Sequence, residues 1–243
     1  MNRTSHQRSP AGASDRSGSM ERLLAILRSA QKALDNERLN SHLMISTKIW
    51  MQSKRMARPL SDDRRNTIII AATELISERG LGTSTADIAK HAGISNGSVF
   101  TYFETKTDLF NAIYSELKEE LIATVLAAIP SDQEEKSQLR YFWSARTQWG
   151  VTNPQKRKAL AQLHVSDKIT IVSRQAATVS AAPILNLIAQ VAMRGTLRAA
   201  PPSYVVELVE GMAGTTMDFM IANPAMAEEA SQAGFDALWR MLA

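Results

Sequence analysis

The sequence predicts an all-α protein, and three observations carry that prediction. Apolar residues recur at i, i+3, i+4 and i+7 through most of the chain, the spacing of one helix face. No stretch alternates apolar and polar residues with the period of two that a half-buried strand would show. Turn residues fall between the periodic segments, where helices stop and restart: Gly80, Gly93, Pro130, Asn153-Pro154, Gly195, Pro201-Pro202 and Asn223-Pro224. The expected organisation is a basic extension over 1–57, a three-helix module over 58–107 and a larger helical domain over 108–243.

A chain of 243 residues with 44% hydrophobic and 21% charged residues is ordinary for a globular protein with a real core. It has no apolar run of about 18 residues, so no membrane span is expected. With no cysteine, disulfides, thiolate metal sites and thiol nucleophiles are excluded, which fits a cytoplasmic location. The net charge of +4 is unevenly spread. Residues 1–55 carry a net +6, residues 56–107 none, and residues 108–243 a net −2. Overall basicity is therefore no argument for a nucleic-acid partner.

Residues 1–19 are Ser-, Arg-, Gly- and Pro-rich and are expected to be disordered. Leu23, Leu24, Ile26, Leu27, Ala30 and Leu34 then mark an amphipathic helix from Met20 to about Leu39. Two readings of this extension stand: a basic arm that binds DNA or a partner, or a start assigned too early, with Met56 opening the chain as M-A-R-P-L-S-D-D-R-R.

The first module helix is expected from Asp62 to Arg79. Ser61 is its candidate cap, Asp62 and Asp63 sit at its positive end, and Gly80 stops it. Ile68, Ala72, Leu75 and Ile76 form one buried stripe. The stretch T-S-T-A-D-I-A-K-H-A-G-I-S-N-G-S-V-F-T-Y-F-E-T-K, from Thr83 to Lys106, reads as helix, glycine turn and second short helix. Thr83 to Thr85 offer capping hydroxyls, Gly93 supplies the turn, and Ser95 caps the next helix. Val99 and Phe103 should face inward. That leaves Asn96, Gly97, Ser98, Thr101 and Tyr102 outside, small and polar enough for a helix that enters a DNA major groove.

A fourth helix starts after Phe103 and carries Leu109, Ile113, Leu117, Leu121 and Val125, a stripe too long for the small module alone. Further helices are expected over 132–149, from Asn153-Pro154 onward, over 168–194 with a kink or break at Pro183, over 203–222, and at the C-terminus. The last two are apolar and rich in small residues. The final one carries Met226, Ala230, Ala233, Ala237, Leu238 and Met241, and its predecessor has Val205, Leu208, Val209, Met212, Thr216, Phe219 and Met220 on one face.

Thr83–Leu109 resembles the DNA-binding module of the TetR family of transcriptional regulators, through the pattern T-x-x-x-I-A-x-x-A-G-I-S-x-G-x-x-(aromatic)-x-x-F-x-x-K-x-x-L. The resemblance is close over about 58–115 and extends to the rest only by helical layout. It implies a helix-turn-helix DNA-binding domain followed by a helical ligand-binding and dimerisation domain. It also implies a repressor released from a palindromic double-stranded operator by a small-molecule effector. The DNA-contacting residues expected are Thr85, Asn96, Gly97, Ser98, Phe100, Thr101, Tyr102 and Lys106, with Arg58, Arg64, Arg65 and Lys90 as further phosphate partners.

The chain departs from the family at three places. Phe100 stands where a phosphate-binding tyrosine is usual, and packing into the core is an equal reading of it. Tyr102 stands where histidine is common, and Ala86 where some members carry a base-reading side chain. An effector pocket among Tyr141, Trp143, Trp149, His164 and Met193 is one reading of those residues; ordinary core is the other. A homodimer is expected through the last two helices. No nucleophile elbow, no metal-ligand spacing and no cofactor motif occurs, so neither an enzyme nor a metal or cofactor site is expected. The alternative function is a helical interaction module that keeps the motif without binding DNA.

Overall fold

The computed structural model describes residues 61–243, and every regular element among them is a helix. The readings made for residues 1–60, including the extension, its amphipathic helix, the start at Met56 and the arm residue Arg58, lie outside the described residues.

Helix α1 spans Asp62–Arg79 and buries Ile68, Ile69, Ala72, Leu75 and Ile76. Ser61 takes the N-cap position without a side-chain cap bond, so Asp62 and Asp63 alone complement the helix dipole there. Gly80 ends the helix at φ 83°, a conformation that favours glycine. Helix α2, Thr85–His91, is capped by Ser84, whose oxygen accepts from the Asp87 N–H at 3.0 Å and donates to Asp87 Oδ2 at 2.6 Å. The neighbouring Thr83 is buried, and its hydroxyl donates to the Gly80 carbonyl at 2.9 Å. Gly93 turns the chain at φ 68°. Ser95 caps helix α3, Asn96–Tyr102, by accepting from the Ser98 N–H at 3.2 Å.

Helix α4, Lys106–Ala128, starts where a reciprocal capping box places it. Thr105 Oγ1 accepts from the Asp108 N–H at 3.1 Å, and the Asp108 carboxylate accepts from the Thr105 N–H at 2.9 Å. Its whole predicted stripe is buried, from Leu109 to Val125, together with Phe110, Tyr114 and Ile122. One continuous apolar core runs from Ile68 to Leu242, and the boundary expected at 107/108 falls in the first turn of α4. At one end α4 packs on α1. Further along it packs on α5 (Glu135–Thr152), α6 (Pro154–His164) and α7 (Ile171–Ser180).

One expectation needs correction. Asn153 does not cap α6: its side-chain amide donates back to the Trp149 carbonyl at 3.0 Å and closes α5, while Pro154 opens α6. The break expected at Pro183 in the 168–194 segment is present: α7 and α8 (Ala182–Ala192) meet at Ala181 with a bend of 68°. Pro183, in the first turn of α8, has no N–H to continue the ladder of α7. Helices α9 (Pro202–Ala222) and α10 (Ala227–Leu242) complete the bundle. Phe235, Leu238 and Leu242 are buried in α10, whereas Ala233, Ala237 and Met226 are exposed, as is Phe219 of α9. A helix with an alanine stripe beside a Phe/Leu stripe turns the larger side chains inward, because they remove more apolar area from water. A short 3-10 turn, Pro224–Met226, joins α9 to α10, and α9 packs between α5 and α10.

Candidate nucleic-acid interface

Helix α3 is held by its inner face and left free on its outer one. Val99 is 1% exposed and Phe103 is buried, so the helix is anchored in the core it shares with α1 and α2. Asn96, Gly97 and Thr101 are exposed, while Ser98 and Tyr102 are half-buried. Tyr102 packs partly against the core, and Ser98 Oγ lies 2.8 Å from Ser95 Oγ within the cap. A Cβ at Gly97 would meet no atom closer than 4.0 Å, so the absence of a side chain there leaves an open approach to the backbone. The Thr101 hydroxyl donates to the Gly97 carbonyl at 3.1 Å. Phe100 is 46% exposed and is not a core residue; its ring extends the outer face of α3.

The flanking cations divide into two groups. Arg64 and Lys90 are exposed and make no ion pair among the described residues. Arg65 is committed elsewhere. It pairs with Glu116 of α4, and its guanidinium lies 5.5 Å from the Phe103 ring centre, within the range of a cation–π contact. Lys106 is half-buried. Its Nζ donates to the Leu81 carbonyl at 2.9 Å and lies 5.2 Å from the Phe110 ring centre, tying the start of α4 to the turn between α1 and α2. An ammonium has several donors, so this bond leaves others for a phosphate. Thr85 begins α2, half-buried, beside the free N–H groups of that helix end.

The five candidate effector residues sit in different surroundings. Tyr141 and Met193 are about half exposed. Trp143 is buried and donates from Nε1 to the Ser231 carbonyl at 2.9 Å, joining α5 to α10. Trp149 is buried and donates to Glu120 of α4 at 3.2 Å. His164 ends α6, with its side chain 46% exposed and its Nε2 4.0 Å from Glu207.

Sequence reasoning missed the polar groups nearest to His164. Arg146 of α5, with 10% of its side chain exposed, donates to both carboxylate oxygens of Glu210 on α9, at 2.7 and 3.4 Å. Lys118 of α4 has its ammonium 6.0 Å from the Tyr114 ring centre. Arg174 of α7 donates to the carbonyls of His164 and Ser166, each at 2.7 Å. Nearer the DNA-binding end, Asn111 of α4 ties down the start of α7. Its amide donates to the Lys168 carbonyl, and its oxygen accepts from the Thr170 N–H, each at 2.9 Å. Each of these residues lies beside an apolar stripe in sequence, and spacing alone does not show which flanking polar residues turn inward.

A sequence model described as "Bacterial regulatory proteins, tetR family" matches residues 68–113, the span from the buried stripe of α1 through α3 into α4. Over residues 68–113 the chain is similar to the tetR family of bacterial regulatory proteins. It is 35% identical over 63 residues to the HTH-type transcriptional regulator YhgD of Bacillus subtilis, covering 26% of this chain and 33% of that protein. It is also 35% identical over 83 residues to the HTH-type transcriptional regulator AcrR of Shigella flexneri, covering 32% and 38%. The chain thus spans well under two thirds of the length of these curated relatives. In fold it is similar to the crystal structure of a tetR-family transcription regulator from a Shewanella species. The TM-score is 0.67 at 24% identity, over 74% of this chain and 98% of that one. The matched span covers all of α2 and α3 and the start of α4, so the family likeness is concentrated on the face just described.

Proposed function

We propose that this protein is a DNA-binding transcription regulator that reads its operator through the outer face of α3. The observation that carries this reading is the pairing of a buried inner face, Val99 and Phe103, with an exposed outer face of Asn96, Gly97, Phe100 and Thr101, inside the span that matches the family. Asn96 reads a base edge, Gly97 lets the backbone approach, and Ser98, Thr101 and Tyr102 contact bases or phosphates. Thr85, at the positive end of α2, and Lys106, at the start of α4, meet phosphates.

The regulator works as a homodimer through α9 and α10. Tyr204, Phe219 and Ile221 leave apolar surface exposed on α9. Beside them lies an apolar groove lined by Leu208, Gly211, Met212 and Ala237, open to the close approach of a second copy. A two-fold dimer of this kind suits a palindromic operator with half-sites about one helical turn apart. The regulator is a repressor. A small-molecule effector held by the helices beyond α3 favours a state with the two α3 helices wrongly spaced, and so releases the DNA. Among the described residues no single helix is long and apolar enough to cross a membrane. The regulator reading places the protein with the DNA, in the cytoplasm.

A gel shift with the DNA upstream of the protein's own gene tests the central point. Binding that weakens steeply with salt and tightens on one palindromic segment is expected. No shift on any DNA at low salt would favour the other reading, a helical interaction module.

A further inference from the structure

The module of α1, α2 and α3 is attached to the rest of the chain in two ways. One is α4, which continues from it and holds it through the Arg65–Glu116 pair and through Lys106 on the Leu81 carbonyl. The other is α6, against which α1 packs. Among the described residues, one hydrogen bond joins the module to a helix beyond α4. The Gln162 side-chain amide of α6 donates to the Ile76 carbonyl, in the last turn of α1, at 3.0 Å.

That bond is not needed to satisfy its acceptor. The Ile76 carbonyl already accepts from the Gly80 N–H at 2.9 Å. A carbonyl oxygen has a second lone pair to offer, and Gln162 takes it. Removing the amide leaves the carbonyl paired, so closure of α1 does not account for the bond. The fit is close as well: a Cβ at Gly80 would stand 3.3 Å from Gln162 Oε1. The turn that follows Gly80 is held by Lys106 of α4 and leads into α2.

Helix α6 itself belongs to the bundle. Near its start, Lys156 donates to both carboxylate oxygens of Glu120 on α4, at 2.8 and 2.7 Å. Arg157 donates to the Gly214 carbonyl of α9 at 3.3 Å and pairs with Asp218 of the same helix. Gln162 follows Arg157 by five positions, which sets the two side chains about 140° apart around the axis of α6. Helix α6 therefore stands between α9 and α1.

A connection through α4 alone leaves the module free to turn about that helix, and a second contact away from its axis removes the freedom. Apolar packing of α1 on α6 is non-directional and tolerates small rotations, whereas a hydrogen bond weakens steeply off its line. We propose that Gln162 is a positioning residue for operator binding. Through it, α6 fixes the tilt of α1–α3 on the bundle, and with the tilt the separation of the two recognition helices in a dimer. The effect on DNA rests on the regulator and dimer readings above; the tilt is tested without them.

Two variants of the full-length protein are compared with the parent. Gln162→Met keeps the stem and removes the donor, and Gln162→Glu keeps the shape but turns a carboxylate towards the carbonyl. The tilt is read without DNA. The chain has no cysteine of its own, so nitroxide labels at Lys90→Cys on α2 and Glu229→Cys on α10, both exposed, give one intramolecular distance in labelled chains diluted with unlabelled protein. A narrow distance distribution is expected for the parent, and a broader or displaced one for both variants. On DNA, the probes are a palindromic duplex selected from random sequence by the parent protein and a duplex carrying one of its halves. One neutral hydrogen bond is worth about fivefold in the population of the competent tilt, and a palindrome needs both modules held, so Gln162→Met should bind it roughly 5- to 25-fold more weakly and the single half unchanged. The proposal is overturned if the label distances of the variants match the parent's, if the palindrome binds as tightly as before, or if both duplexes lose affinity alike, as a merely structural residue would have them do. Failure to select any DNA would sink the regulator reading, and the labels would still decide whether Gln162 sets the tilt.

Discussion

Lys106 is the residue where fold and proposed function meet most directly, and Lys106→Met separates the two. The substitution keeps the stem that lies over Phe110 and removes the ammonium. Its structural bond, 2.9 Å from Nζ to the Leu81 carbonyl, joins the start of α4 to the turn that precedes α2. A charged hydrogen bond is worth about 1.5–3 kcal/mol, and a half-exposed site belongs at the lower end because water can replace the lost donor. A cation over an aromatic ring adds about 0.5–1 kcal/mol at such a site, part of which the Met stem retains. The expected loss of stability is about 1–2 kcal/mol, which lowers the melting temperature by about 2–8 °C for a domain of this size. On DNA the same variant should bind every sequence more weakly, and the slope of log K against log salt should flatten by about one unit. Thermal unfolding and a salt series on operator and random DNA measure the two effects independently. A melting temperature within about 1 °C of the parent would refute the clamp. An unchanged salt slope in a variant with lowered stability would refute the phosphate contact and leave Lys106 a purely structural tie.

Four further outcomes are expected. Asn96→Ala should cost about 1–3 kcal/mol on the operator and relax specificity at one base pair; equal losses on operator and random DNA would show that Asn96 reads no base. Phe100→Tyr adds a hydroxyl to an exposed ring and should tighten DNA binding by up to roughly fivefold, the worth of one neutral hydrogen bond; unchanged binding would place the ring edge away from phosphate. Gly150→Ala puts a Cβ 2.0 Å from the buried Met217 Sδ and 3.1 Å from Arg157 Cδ. That overpacking should cost about 1–3 kcal/mol despite alanine's better helix propensity, and a melting temperature equal to or above the parent's would contradict the contact. The fourth concerns His164, whose pKa is lowered on folding, so the unfolded chain binds the proton more tightly. Its contribution is present above its unfolded pKa of about 6.5 and is lost as pH falls through the lower folded value. Taking the pH from 7 to below 6 should lower the melting temperature more in the parent than in His164→Gln, and parallel curves would refute the shift.

The DNA-binding half is readable because its information is local. The Ser95 cap, the Gly93 turn and the Val99–Phe103 anchor each act within a few residues, and the structure has all three. The reciprocal cap that sets the first residue of α4 is less visible, because Thr105 and Asp108 lie outside the apolar stripe that marks the helix. The inner face of α10 is not legible in the sequence for a different reason. Its alanines at 230, 233 and 237 repeat as regularly as Phe235, Leu238 and Leu242, and periodicity does not rank two stripes. Side-chain size does, because the packing partners on α5 and α9 gain more from burying Phe and Leu.

The Arg146–Glu210 pair is beyond any such reading. The two residues are far apart in the chain, and each looks like an ordinary charge beside a helix stripe. Their meeting depends on how α5 and α9 cross, which no short-range pattern encodes. The same holds for the ties that run along α4, which carries Asn111 at the start of α7 and Lys106 at the turn before α2. Each joins residues that are remote in sequence, so the helix that links the DNA-binding end to the rest of the bundle is fixed by contacts that only the packed structure reveals.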